Sequence, residues 1–109
     1  MVGSNLANAL ADSGLHIALI DTHEPQNTGT TGSVDLRVSA ITLASQQRFE
    51  HLDVWSLMQD LGISPFRNMF VWEGGGNATG DGEIHFDSAD VGFPHLGHII
   101  ENRIIHAAL

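Results

Sequence analysis

The chain has 109 residues, of which 42% are hydrophobic and 16% are charged, a composition typical of one small globular domain or part of a larger one. Thirteen acidic residues against four basic ones, all arginine, give a formal net charge of −9. This charge disfavours nucleic-acid binding, which needs cations to neutralise phosphates. The lack of cysteine excludes disulfides and thiolate sites, and no apolar run is long enough to predict a membrane-spanning helix. We therefore expect a cytoplasmic protein.

The N-terminal third has the pattern of half a βαβ unit. Apolar spacing predicts a helix over residues 3–13, and Gly14 stands where a glycine commonly ends a helix. Residues 16–20 form a short apolar run, which predicts a strand buried in a parallel sheet and ending at Asp21. Residues 22–35 are polar and carry no hydrophobic period, so we expect a flexible loop there.

The remaining chain alternates short strands and helices. Thr42 is suited to cap a helix that buries Phe49, and Gly62 would stop a second helical stretch. Two aromatic-rich strands around a Gly-rich turn predict a hairpin over residues 66–87. A final helix is predicted from about residue 100. Its apolar C-terminal end has no cap, and together with the abrupt start this leads us to expect a fragment of a larger chain.

The opening segment matches the second half of a dinucleotide-binding fingerprint. Gly3 begins a helix, and Asp21 follows 18 residues later at the end of the predicted strand. In such units the last glycine permits close helix–strand contact, and an acid about 20 residues on binds the ribose. The earlier strand and glycines are missing from the sequence, so an unrelated helix–strand pair explains the spacing equally well.

Two other groups of residues are candidates for ligand binding. Arg37 and Arg103 are half of the positive charge and are suited to hold a pyrophosphate, although surface ion pairs would explain them too. His95 and His98 invite a metal site, but Gly97 interrupts any helix that would align them. We therefore expect packed or exposed histidines and no bound metal.

Several segments resemble the FAD-dependent aromatic hydroxylases. Met1-Val2-Gly3 resembles the end of the G-G-G-M-V-G fingerprint of that family, and HIALID ends at Asp21, where the family has its ribose-binding acid. DLRVSAITLAS is similar to the segment with an FAD-contacting arginine, which would be Arg37. HLDVW resembles the L-G-V-W of the family, with Asp53 in place of the usual glycine.

Two further segments are similar to the ubiquinone-biosynthesis hydroxylases, and the second is most similar to the polyprenylphenol hydroxylases. They are VWEGGGNATGDGEIHFDSADVG and LGHIIENRIIHAAL. The resemblance implies an α/β fold, namely a Rossmann-like FAD-binding domain that lacks its first strand and carries an inserted β-hairpin. It implies that Gly3, Asp21 and Arg37 hold FAD, with Glu101, Asn102 and Arg103 near the flavin or its pyrophosphate.

The same resemblance implies a monooxygenase that uses NAD(P)H and O₂ to hydroxylate a polyprenylated phenol or quinol in ubiquinone biosynthesis. No residue of the chain is singled out as catalytic, because the cofactor carries the chemistry. The full-length protein would then be peripheral at the inner membrane and would associate with other proteins of that biosynthesis. Two alternatives remain: another Rossmann-like FAD or NAD oxidoreductase, and a non-catalytic remnant or partner-binding module. The 109 residues alone are expected to be inactive.

Overall fold

The computed structural model describes residues 1–22, 34–73 and 82–109. Most of the predicted loop and of the Gly-rich turn falls outside these ranges. The helices are α1 (Val2–Ala9), α2 (Leu43–His51), α3 (Trp55–Leu61) and α4 (Asn102–Ala108), with short 3₁₀ helices at Ala11–Ser13 and Ser88–Val91. The strands are β1 (Val38–Thr42), β2 (Ser64–Phe66), β3 (Asn68–Trp72), β4 (Glu83–Asp87) and β5 (Gly97–Glu101). None of the helices in the described ranges is long and apolar enough to cross a bilayer.

A three-stranded antiparallel sheet in the order β1-β5-β2 forms the centre of the fold. Val38 pairs with Glu101 at one end of β1 and β5, and Thr42 pairs with Gly97 at the other. A Cβ atom at Gly97 would collide with the backbone carbonyl of Ile41, so the central strand needs a glycine at this position. The sheet thus brings the start of β1 to the end of β5.

The hydrophobic core lies between this sheet and the helices α2, α3 and α4. Alternation along the strands puts Ile41, His98 and Ile100 on one face. The helices and Val54, which precedes α3, contribute the other buried hydrophobic residues. Those in the helices are Phe49, Trp55, Met58, Ile104, Ile105 and Ala108. The sheet is therefore anchored to a helical layer on one side.

Local signals predict the helices of this layer well. Thr42 caps α2, because its hydroxyl accepts the backbone N–H of Ser45 at 3.3 Å, and Phe49 is buried as expected. The second helical stretch ends at Gly62, as the sequence predicts. Asp53, which replaces a glycine of the resembled motif, has φ = 57°. That left-handed conformation is easiest for glycine and tolerable for aspartate, which explains why the motif favours glycine there.

An antiparallel hairpin of β3 and β4 lies where the sequence predicts one, with Asn68 opposite Asp87 and Trp72 opposite Glu83. One face carries Phe70 stacked on His85, with ring centroids 4.2 Å apart. The other face is formed by half-exposed apolar side chains, which are Met69, Val71, Ile84 and Phe86. The hairpin is a sheet separate from the β1-β5-β2 sheet.

The predicted strand at residues 16–20 is not formed, and this prediction is wrong for the described structure. The segment has no strand pairing, and Leu19 and Ile20 are 59% and 91% exposed. An apolar run becomes a strand only when another strand satisfies its backbone groups, and no described residue pairs with this one. The predicted helix at 3–13 is shorter, since α1 ends at Ala9 and a 3₁₀ turn leads to Gly14 at φ = 74°.

The strand pairs in the described ranges are all antiparallel, so the chain is a mixed α/β structure with small antiparallel sheets. A Rossmann-like parallel sheet is not formed within them. The Rossmann-like FAD domain therefore stays a prediction.

His98 is a polar residue inside the core. Only 6% of it is exposed, and its ring contacts those of Trp55 and His95, at centroid distances of 5.1 Å and 4.4 Å. Its Nδ1 and the Nε2 of His95 are buried without a hydrogen-bond partner among the described residues. Burial, and secondarily the neighbouring His95, lower the pKa of His98 below its ordinary value.

This lowered pKa predicts that stability falls as the solution becomes acidic. Below the ordinary pKa of 6.5 the unfolded chain protonates His98 more readily than the native chain does. The free energy of unfolding should therefore be greatest above pH 6.5 and decrease below it, and His98→Phe should flatten the decrease. Urea titrations between about pH 5 and pH 8, followed by tryptophan fluorescence, would measure this. His51→Gln, on an exposed histidine, is the control, and an unchanged slope in His98→Phe would contradict the prediction.

Candidate functional site

The pairing of β1 with β5 brings together four of the six predicted cofactor-binding residues. Val38 and Glu101 are the last paired residues of the two strands, so Arg37 lies just before β1 and Asn102 just after β5. The Asn102 N–H donates to the Arg37 carbonyl oxygen at 2.8 Å, which extends the pairing by one step. Arg103 is the next residue along the chain. Residues distant in the sequence thus lie side by side at one end of the sheet.

The Glu101 carboxylate connects the two segments at this end. Its Oε2 accepts the Arg103 Nε–H at 2.7 Å and the Asp35 N–H at 2.8 Å. The Asp35 Oδ1 accepts the Arg37 N–H at 3.0 Å, which fixes the turn that leads into β1. These donors lower the pKa of Glu101, the Asp35 N–H contributing most and Arg103 next. Glu101 therefore orients Arg103 and anchors the segment before Arg37.

The side chain of Asn102 is held by β1 as well. The Ser39 hydroxyl donates to the Asn102 Oδ1 at 2.6 Å, and both residues are partly buried. Asn102 is thus bonded to β1 through its backbone and through its amide oxygen. The Asn102 Nδ2 forms no hydrogen bond with another described residue.

Gly3 and Asp21 belong to a second part of the candidate site, around α1. A Cβ atom at Gly3 would lie 3.3 Å from Leu19 Cδ1, so the segment after the helix returns close to the start of α1. Close approach at this glycine is what a dinucleotide fingerprint requires, although the segment that approaches is not a strand. Asp21 follows two residues after Leu19 and is exposed.

Two hydrogen bonds attach α1 to the helical layer. The Arg48 Nε–H on α2 donates to the Asn5 Oδ1 at 3.2 Å, and the Asn8 amide donates to the Leu109 carbonyl at 3.1 Å. No residue of α1 is buried, so these polar contacts rather than a shared core position the helix.

The end of the sheet beside Arg37 and Arg103 carries two of the four basic residues of the chain, together with the carboxylates of Asp35 and Glu101. Guanidinium groups bind phosphate and carboxylate oxygens through paired N–H donors. In the described ranges, no cluster of three or more histidine and carboxylate residues has the arrangement of a metal site.

An open, mainly apolar groove borders the same end of the sheet. Its walls come from the β1 entry, the α3–β2 connection and β5, and Glu101 stands at its rim. The lining residues are Val34, Val38, Gly62, Ile63, Ser64, Ile99 and Glu101. The groove lies on the face of the sheet that carries Val38, Ile99 and Glu101, which alternation along the strands sets opposite the core face of Ile41 and Ile100.

Two residues of this arrangement, Asp35 and Ser39, are not among those predicted from the sequence. Asp35 had a local signal, because an aspartate often accepts the N–H two residues on, as it does here from Arg37. Ser39 had none, since its partner Asn102 is brought near only by the pairing of β1 with β5.

Comparison with known proteins identifies relatives over all 109 residues. The chain is 33% identical to 3-demethoxyubiquinol 3-hydroxylase from Escherichia coli (strain K12), of which it covers 27%. It is 31% identical to the ubiquinone hydroxylase UbiL from Rhodospirillum rubrum, of which it covers 24%. No family model matches the chain. It therefore spans about a quarter of the length of these relatives, and its resemblance to the ubiquinone-biosynthesis hydroxylases is confirmed.

The hydrogen bonds to Glu101 predict a specific pH dependence. A carboxyl group whose native pKa is lowered stabilises the fold above its ordinary pKa of 4.5, and this contribution is lost as the pH falls through the lowered value. Glu101→Gln should therefore unfold at lower urea concentration than the parent at about pH 7, and the difference should shrink towards about pH 3. A difference that stays constant over this range would show that charge on Glu101 does not matter.

Proposed function

Because the chain is related over its whole length to ubiquinone-biosynthesis hydroxylases, we propose that it is part of an FAD-dependent monooxygenase. The proposed enzyme uses NAD(P)H and O₂ to hydroxylate the ring of a polyprenylated phenol or quinol. The observation that carries the proposal is the 33% and 31% identity to two proteins named as hydroxylases of ubiquinone or its precursor. The substrate, electron donor and oxidant are proposed for the whole protein, of which these residues would form one section.

The chemistry of the residues at the two parts of the candidate site supports FAD as the proposed cofactor. Gly3 has no side chain at the point where Leu19 packs against the start of α1, the close contact that the last glycine of a dinucleotide fingerprint permits. Asp21 offers an exposed carboxylate that can accept hydrogen bonds from ribose hydroxyls. Arg37, with Arg103 held by Glu101, offers donors for phosphate or flavin oxygens.

Bound FAD would supply the redox chemistry, passing electrons from NAD(P)H to O₂. The residues of this chain would bind and orient it. Arg37 and Arg103 offset its negative charge, and Glu101 fixes the direction of the Arg103 guanidinium through a 2.7 Å contact.

A polyprenylated substrate would be strongly apolar, and this favours a cytoplasmic protein bound peripherally at the inner membrane. Association with other proteins of ubiquinone biosynthesis would let such substrates pass without entering water.

The decisive experiment is purification of the full-length protein, followed by its flavin absorption spectrum and analysis of the products from a short-chain polyprenylphenol with NADH or NADPH. A colourless protein that takes up no FAD would leave the non-catalytic alternative as the better explanation.

The proposed role of Asp21 predicts weaker cofactor binding when its carboxylate is removed. In the full-length protein, Asp21→Ala should cost about 1–3 kcal/mol of FAD binding free energy, the range for hydrogen bonds that involve a charged group. Fluorescence titration of the apoprotein with FAD would measure the change. Asp12→Ala, on an exposed acid of the nearby 3₁₀ helix, is the matched control. Equal FAD affinity in Asp21→Ala and the control would place the ribose elsewhere.

We also propose that the 109 residues alone neither retain FAD nor catalyse hydroxylation. The first two fingerprint glycines are not among them, and the 16–20 segment has no strand neighbour in the described structure. Titration of the isolated chain with FAD should leave flavin fluorescence unchanged at micromolar concentrations, whereas the full-length protein should alter it. Stoichiometric binding by the isolated chain would contradict this prediction.

A further inference from the structure

We propose that Glu101 is a substrate-binding residue, whose carboxylate accepts a hydrogen bond from the ring hydroxyl of a phenol or quinol in the groove beside β5. The inference rests on the proposed function, because the ring with its hydroxyl is that of the proposed substrate. It is carried by two observations: Glu101 lines the groove, and one of its carboxylate oxygens has no donor among the described residues.

The groove is apolar apart from two side chains. Its aliphatic lining residues are Val34, Val38, Ile63 and Ile99. Of the lining residues in the described ranges, Ser64 and Glu101 have polar side chains, and only that of Glu101 is charged. An apolar surface with a charged acceptor at its rim selects a ligand that is mostly hydrocarbon and carries a hydrogen-bond donor.

The two oxygens of the Glu101 carboxylate have different surroundings. Oε2 accepts the Arg103 Nε–H at 2.7 Å and the Asp35 N–H at 2.8 Å. Oε1 forms no hydrogen bond with another described residue, and 18% of the side chain is exposed. Because the two donors hold the carboxylate in place, Oε1 is an oriented acceptor that a ligand can reach.

The protonation state of Glu101 suits an acceptor. The Asp35 N–H, and next Arg103, hold the pKa of this carboxyl below its ordinary 4.5, so it is ionised at neutral pH. A phenolic hydroxyl has a pKa of about 10 and keeps its proton beside so weak a base. The contact is therefore a charge-assisted hydrogen bond from the hydroxyl to the carboxylate, without proton transfer.

A polyprenylated phenol or quinol has both parts that the groove selects, an apolar body and a hydroxyl donor. The groove has a volume of about 250 Å³, less than the roughly 300–1,000 Å³ of pockets that enclose a drug-sized ligand. It therefore takes the ring, and the tail extends out through the open side. A protein segment with its own donor is the competing occupant, and a variant that fills the groove separates the two.

The test compares two ligands that differ only in the hydroxyl, a geranyl-substituted phenol and geranylbenzene. Their dissociation constants for the full-length holoprotein would be measured by equilibrium dialysis. The parent should bind the phenol about tenfold more tightly, as expected for one hydrogen bond to a charged group. Glu101→Gln should lose most of this preference, because an amide is a neutral and weaker acceptor. Arg103→Gln, the matched control, removes one donor to the carboxylate but keeps its charge and should retain the preference.

A second variant tests the groove independently of the carboxylate. Val38 lines the groove and is 47% exposed, so a larger side chain there fills the groove without disturbing the core. Val38→Phe should weaken the binding of both ligands by the same factor, because it removes space and leaves the acceptor unchanged. This result does not depend on whether Glu101→Gln folds.

Three results would overturn the inference. They are equal affinity of the parent for the two ligands, an undiminished preference for the phenol in Glu101→Gln, and parental affinity for both ligands in Val38→Phe. The last would identify a protein segment as the occupant of the groove. If one of them appears while the parent retains FAD and hydroxylates the phenol, the proposed function stands without the Glu101 role. A parent that retains no FAD and binds neither ligand would overturn both.

Discussion

The register of β1 against β5 is the constraint on which the candidate site depends. Because Val38 is opposite Glu101, the residues just before one strand and just after the other are adjacent, and Arg37 and Asn102 are joined by a backbone hydrogen bond. A shift by one residue would turn the side chains of β1 to the opposite face of the sheet. The core opposes such a shift, because Ile41 would leave the helical layer.

The acidic residues near this end act largely as internal acceptors. Asp35 accepts an N–H at the entry to β1, and Glu101 accepts both Arg103 and the Asp35 N–H. Fixing an arginine in this way limits the conformational entropy it would lose on binding an anion. The high negative charge of the chain is therefore compatible with an anion site, since some of its carboxylates are used to orient the cations.

The central strand, β5, carries two ionisable groups whose environments favour opposite protonation states. On the core face it carries His98, whose neutral form is favoured by burial against Trp55 and His95. Next to the core residue Ile100 the strand carries Glu101, whose charged form is favoured by hydrogen bonds. Near neutral pH, His98 is neutral and Glu101 is charged, which are the forms that the fold prefers. Acidification acts against both, on His98 below pH 6.5 and on Glu101 only below pH 4.5.

Local patterns in the sequence determined the helices after Thr42, the stop at Gly62, the hairpin strands and the family resemblance. These signals lie within a few residues of the feature they predict, so no distant contact is needed to read them. The strand predicted at residues 16–20 shows the limit, because a strand exists only with a neighbour. Only the tertiary structure decided that Glu101 accepts the Asp35 N–H, that Ser39 meets Asn102 and that His98 is buried. Each of these depends on pairing between segments about sixty residues apart, or on packing across the sheet, which spacing along the chain does not encode.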